Sequence, residues 1–183
     1  MAGIFSTRRC ARYGLAGLGL AVTAMAFATL PATPARAGTT GGVTATFDPI
    51  AFFTGPTVGE GRLRKMFSKA RTTHVEGHGV LRADGVLVLD QRVMIAGGKE
   101  RMRQWELHAS SPGHFRGTLT DATGPVTADV AGDRLLIRYT MSGGLKVRQS
   151  LTLAPGGQSA RNLMKIRKFG MVVATLDEVI SKR

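Results

Sequence analysis

The chain is poor in several residue types, and each scarcity narrows what it can be. Of its 183 residues one is a cysteine, Cys10. That residue lies in the leader argued below, so the folded part has no disulfide, no thiolate nucleophile and no cysteine-held metal. Acids are few: 12 Asp and Glu stand against 25 Lys and Arg, a formal charge of +13. Aromatics make up 6%, with one Trp and two Tyr. That is no stacking platform for bases, which argues against nucleic acid as the partner of the positive charge. No segment from residue 59 onward shows a sustained helical period with caps. Gly-x-Ser-x-Gly, His-Glu-x-x-His and the phosphate-binding glycine loop are all missing. Neither a metal nor a cofactor is expected.

What is present begins with a leader. Arg8, Arg9 and Arg12 open the chain without a compensating acid, and the uncharged stretch YGLAGLGLAVTAMAFATL follows. Ala35-Arg36-Ala37 then fits the small-x-small cleavage pattern before Gly38. The apolar run is about as long as a membrane span needs. Its glycines and small-residue exit favour a cleaved signal peptide over 1–37, with a retained anchor as the alternative. The Arg8-Arg9 pair suits twin-arginine or general (Sec) export alike. Cys10 precedes the apolar run, so it is not placed as a lipoprotein cysteine. The expectation is a soluble periplasmic protein, with a flexible segment over 38–46 and one folded domain over 47–183. Removing the leader takes away four Arg and no acid, leaving 21 cations against 12 acids.

The folded part is rich in glycine, 24 in the whole chain, with seven prolines. From about residue 59, short alternating apolar segments are separated by turn signals roughly every ten residues. GVLVLDQRVMI follows Asp84-Gly85, and ERMRQWELHA follows Gly97-Gly98. RLLIRYTM follows Gly132-Asp133, and KVRQSLTL follows Gly143-Gly144. Leu135, Ile137, Tyr139 and Met141 share one strand face; Val147, Gln149, Leu151 and Leu153 share another. In the last segment Val172, Ala174, Leu176 and Ile180 are expected to face inward, and its final turn is the place where a helix competes. Nine or ten antiparallel strands with one apolar face close as a barrel or stack as a sandwich. The even hairpins favour the barrel. The fold class is therefore all-β, a single antiparallel up-and-down β-barrel. Asp48-Pro49 reads as an N-cap and first helical residue, so DPIAFF forms a short helical plug sealing one barrel end. Glycines 55, 59 and 61 then let the first strand turn and coil.

FDPIAFFTGPTVGEGRL, DGVLVLDQRV, RQWELH, FRGTLTDATGPVTADVAGDRLLIRYTM and RKFG resemble a family of exported bacterial proteins of unknown function. The resemblance runs from about Phe47 to the C-terminus. It implies a lipocalin-like (calycin-like) barrel, with most members periplasmic or lipoproteins. Two departures stand out: this chain lacks the lipobox cysteine, and VRQSLTLAPGG replaces the acidic and aromatic residues relatives carry there. The neighbourhood of lipid-modifying genes implied for the family points towards lipids. No activity comes with the resemblance.

Candidate chemistry is sparse. THVEGHG puts His74, Glu76 and His78 on one strand face, a zinc-like pair if a third ligand arrives. Val75, Gly77 and Gly79, with Leu81, form the apolar face, so the histidines are expected to point to solvent. His108 and His114 flank ASSPG, where Ser110 and Ser111 read as turn residues. Gln91 and Gln149 each interrupt an apolar face and need a partner there. Two basic clusters, Arg62 to Arg71 and Arg161 to Lys168, read as solvated exterior or as attraction to an anionic membrane surface. The resulting expectation is a non-catalytic binder of a small hydrophobic or lipid-derived ligand. Phe52, Phe53, Trp105, Tyr139, Met141 and Met164 line or close the cavity, with Gln91 and Gln149 as polar contacts. Two other readings stand beside it. One is a packed-barrel accessory protein acting on the envelope with a lipid-modifying partner. The other is a lipid-acting enzyme with His78 and Glu76, or His108 and Glu106, meeting at the mouth.

Overall fold

A computed structural model describes residues 45–183. The leader and most of the 38–46 segment lie outside the described residues; Ala45 and Thr46 are exposed and belong to no element. A short helix, α1 (Pro49–Phe53), precedes ten strands. These are β1 (Gly55–Lys65), β2 (Arg71–Leu81), β3 (Leu87–Ile95), β4 (Arg101–Ser111) and β5 (His114–Leu119). They continue as β6 (Val126–Ala131), β7 (Arg134–Met141), β8 (Leu145–Leu153), β9 (Ser159–Lys168) and β10 (Met171–Lys182). Every strand pairs antiparallel with its sequence neighbour, and β1 closes the barrel on β10, with Gly59 opposite Ile180 and Leu63 opposite Leu176. Closure leaves no free sheet edge to template aggregation. The meander and its closure are those the hairpin pattern predicts. β6 is the strand that the pattern does not mark: VTADVA is short and joins β7 through a turn that begins within the same glycine signal.

Side-chain alternation follows from the pleat. Thr73, Val75, Gly77 and Gly79 of β2 are buried, while His78 and Val80 face out. Leu81 departs from its expected inward place because the strand ends at the barrel rim, leaving it 48% exposed. β10 stays a strand to Lys182, so the helical alternative at its end is wrong. Its expected parity fails at one point. The ladder to β9 slips between Val172 and Ala174, so Val172 turns outward, and Ala174 resumes the inward face. A bulge of this kind adds one residue and reverses the face on one side of it.

The two barrel ends differ. At one, α1 lies over β2 and β3 as the plug. Asp48 accepts hydrogen bonds from the Ile50 and Ala51 N–H groups at 3.0 and 3.1 Å, the N-cap that starts the helix. Phe47 N–H donates to the Gly132 carbonyl at 2.8 Å, and Lys182 Nζ donates to the Ala51 carbonyl at 2.6 Å. The plug therefore ties to β7's approach and to the chain's end. Gly79 permits this seating: a Cβ there would lie 1.9 Å from the Phe53 carbonyl oxygen. The opposite end, ringed by the β1–β2, β3–β4, β5–β6, β7–β8 and β9–β10 turns, carries no plug among the described residues.

Candidate functional site

Between the two ends the barrel interior changes character along five of the strands. Nearest the plug it is aliphatic: Leu87, Leu89, Leu107, Leu135, Leu151 and Ile180 are all buried. Further along the inward faces of these strands polar side chains appear. β3 supplies Gln91, β4 Arg103, β8 Gln149, β9 Asn162 and β10 Glu178. Beyond them the aliphatic lining returns at the open end with Leu63, Val93, Met141, Met164 and Ile166.

The polar layer is bonded to itself. Gln91 Oε1 accepts from Arg103 Nε at 2.9 Å and from Trp105 Nε1 at 2.8 Å. The Arg103 guanidinium also sits over the Trp105 ring, 5.8 Å from its centre, and Tyr139 meets that ring edge-on at 5.5 Å. Gln149 Nε2 donates to the Tyr139 hydroxyl at 3.1 Å, and Gln149 Oε1 accepts from Asn162 Nδ2 at 3.0 Å. Asn162 Nδ2 also donates to Glu178 Oε2 at 3.0 Å, a contact set by their direct pairing across β9 and β10. Asn162 Oδ1 is buried without a partner among the described residues. An unpaired buried acceptor is expensive, so it calls for a partner, which a water or a ligand group in the adjoining chamber can supply.

Glu178 is the unusual member. It is 5% exposed, and desolvation holds its carboxyl above the usual carboxylate range; the Asn162 hydrogen bond and the charge of Arg103 oppose that shift. No ion pair joins Glu178 to Arg103 among the described residues, although both line one cavity. Two glycines make its room. A Cβ on Gly59 would stand 2.5 Å from Glu178 Oε1, and one on Gly61 would stand 2.8 Å from Glu178 Cβ. The glycines expected to coil the first strand thus also leave the space in which a buried acid lies across it. Burial raises the Tyr139 hydroxyl's pKa as well.

Two spaces flank this layer. The inner chamber, toward the plug, has a volume of about 50 Å³. A cavity needs roughly 10–15 Å³ on that measure to hold one water, so the chamber has room for a few waters or one small group. The mouth is larger, about 430 Å³, and open to solvent. Ligand pockets for small molecules run from roughly 300 to 1,000 Å³. Arg103 lines both spaces and divides them.

Residues 34–182 match the family described as protein of unknown function, DUF3833. The chain belongs to that family. No curated protein matches this DUF3833 chain. Solved structures that share its fold include two of different origin. The S-type phycobiliprotein lyase CPES from Guillardia theta superposes with a TM-score of 0.57 at 5% identity, over 73% of this chain and 90% of that one. Rv2717c from M. tuberculosis gives 0.57 at 15% identity, over 75% of this chain and 99% of that one. At such identities the likeness is one of fold.

The residues singled out from the sequence fall into three places. Phe53, Gln91, Trp105 and Gln149 line the inner chamber. Tyr139, Met141 and Met164 line the mouth. Phe52 lines neither: it packs in the plug against Phe47 and Phe53, with ring centres 5.2 and 5.0 Å apart, so it closes the end without facing the cavity. Arg103, Asn162 and Glu178 were missed. Their signal was parity: Arg103 shares a face with Trp105, Asn162 with Ala160, and Glu178 with Ala174 and Ile180. The other candidates lie outside the barrel. His74 pairs with Glu60, whose hydrogen bond raises the imidazole's pKa, and Glu76 pairs with Arg92 at 2.5 Å. His78 is exposed beside them. His114 meets Asp129 at 2.8 Å, and Glu106 lies 3.7 Å from Arg82. Neither His78 with Glu76 nor His108 with Glu106 reaches the mouth, because all four lie on outward faces toward the plugged end.

Proposed function

We propose that this protein is an exported, periplasmic binding protein for a small amphipathic, lipid-derived molecule. It works beside an anionic membrane surface. The ligand's polar head meets Arg103, Asn162 and Glu178, and its apolar part lies in the mouth against Met141, Met164 and Leu63. The observation that carries this is a buried polar layer with an unpaired acceptor, placed between a water-sized chamber and a mouth large enough for a ligand. Desolvation of the apolar part supplies affinity, and the layer supplies orientation. The chamber itself is too small for an acyl chain, so the apolar part of the ligand lies in the mouth. That packing favours the accessory-protein reading if the mouth takes no ligand.

The test is native mass spectrometry of the protein purified from its own host, followed by solvent extraction and lipid analysis. A stoichiometric lipid-derived adduct is expected, with Arg103→Ala weakening re-uptake by about tenfold, as expected for loss of a charge-assisted contact. A clean mass that takes up neither fatty acids nor lysophospholipids on titration would overturn the reading.

A further inference from the structure

Two residues other than glycine have positive φ among the described residues, and both are phenylalanines: Phe67 at 59° and Phe169 at 51°. Both stand in turns at the open end, in β1–β2 and β9–β10. Both are thrown into solvent, Phe67 100% exposed and Phe169 88%. A bulky aromatic is a poor choice for the left-handed region, where Gly or Asn is at ease. An aromatic left in solvent is equally poor for solubility. Two independent disadvantages, repeated in two turns, call for a reason outside the fold.

The turns are neighbours, because β1 and β9 flank β10 on either side. Met66 N–H donates to the Val173 carbonyl at 2.9 Å, which fixes the first turn against the start of β10. Between that turn and β10 runs a groove with Met66, Phe67, Val172 and Val173 as apolar walls and Arg64, Lys65 and Lys69 beside them. Met171, the next apolar side chain along, is 60% exposed. The two basic clusters of the sequence converge here: Arg64 and Lys165 lie opposite the same residue, Thr175, from either side of β10. Lys168 Nζ stands 5.5 Å from the centre of the Phe169 ring.

We infer that the open end docks on an anionic phospholipid bilayer, with Phe67 and Phe169 inserted at headgroup depth and Lys65, Lys69, Lys165 and Lys168 against the phosphates. Aromatic tips flanked by lysines whose apolar stems reach down while their charges stay up is the arrangement such an interface accepts. The charge of the rim complements that partner: the five open-end turns and the strand ends that flank them carry Lys65, Lys69, Arg71, Lys99, Arg101 and Lys168 against Glu100 and Asp121. Docked this way, the mouth opens onto the membrane, and a lipid-derived ligand enters without crossing water. This names the partner of the membrane-side reading above and rests on it, while the docking itself needs no ligand.

The experiment is flotation of the host-purified protein with vesicles, half phosphatidylglycerol and half phosphatidylcholine, against pure phosphatidylcholine, at low and high salt. Binding to the anionic vesicles that weakens with salt is expected. The doubly substituted Phe67→Ser, Phe169→Ser protein should bind at least about tenfold more weakly, since two exposed aromatic side chains no longer leave water. Val80→Ser, an exposed apolar residue near the plug, should bind as the wild type. Unchanged thermal unfolding keeps the comparison clean. Equal binding by the double Phe variant, or no preference for anionic vesicles, would overturn the proposal. So would a wild-type dimer that the double variant dissolves, because the tips would then serve a second copy. Ligand re-uptake by the same variants separates the two readings: the double Phe variant should keep it, and Arg103→Ala should lose it while still floating with vesicles.

Discussion

Five of the phenylalanines sit at the two ends of the barrel, and the ends use them in opposite ways. At the plugged end Phe47, Phe52 and Phe53 are 2, 4 and 7% exposed and stack on one another. At the open end Phe67 and Phe169 touch little but water. Charge divides the same way. The four hairpin turns of the plugged end and their flanking strand ends pair Arg82 with Asp84 and set Arg134 beside Asp133, while those of the open end, counted the same way, are predominantly cationic. One end is built as the bottom of a core and the other as a contact surface. The polar layer of Gln91, Arg103, Gln149, Asn162 and Glu178 lies between them.

The largest effect that tests this division is at the plug. Phe47→Ala should lower unfolding free energy by about 3–5 kcal/mol, the usual range for emptying a fully buried aromatic site. Urea unfolding measures it. A loss under about 1 kcal/mol would mean that the plug is loosely held and that the closed end is not closed.

The next effect is in the middle layer. Gly59→Ala places a methyl where Glu178 Oε1 now lies, so it should destabilise by roughly 1–3 kcal/mol. Combining it with Glu178→Ala should recover at least about 1 kcal/mol, a coupling expected of touching side chains. Strict additivity would show that Gly59 serves the backbone and that the acid lies elsewhere.

How much of this was legible in the sequence divides along the same lines. The barrel was legible, because period two and glycine turns report the pleat directly, and Asp48-Pro49 announced the plug. Gln91 and Gln149 were legible because a polar residue on an apolar face is conspicuous. Glu178 was not. Parity puts it with Ala174 and Ile180, but DEV presents two acids in succession, of which one is a surface partner of Arg161 and the other is buried, and a carboxylate is rarely found inside. The convergence of both basic clusters on Thr175 was also hidden, since it depends on β1 closing onto β10 across more than 100 residues of chain.

Glu178 also makes the middle layer sensitive to pH. Burial holds its folded-state pKa above the ordinary glutamate value, so the native protein binds the proton more readily than the unfolded chain. Its stabilising contribution is therefore fullest below the unfolded value and falls as pH rises through the folded one. Glu178→Gln keeps an acceptor for Asn162 and removes the titration. The variant should match the wild type under acid conditions and become progressively more stable than it as pH rises towards neutral. Thermal unfolding across that window reads the difference, and parallel curves would place the carboxyl in water.

The smallest effect has the opposite sign to the first. Phe67→Asn relieves a left-handed aromatic residue that packs against nothing, since Asn tolerates that region several-fold better. Relief of such strain should stabilise by a few tenths to about 1 kcal/mol. Chemical unfolding of this variant beside Phe47→Ala sets one phenylalanine against another in the same barrel. If Phe67→Asn destabilises by more than about 1 kcal/mol, the turn depends on its aromatic and the open end belongs to the fold. If it stabilises, the residue is kept against the interest of the fold, as a contact surface would require.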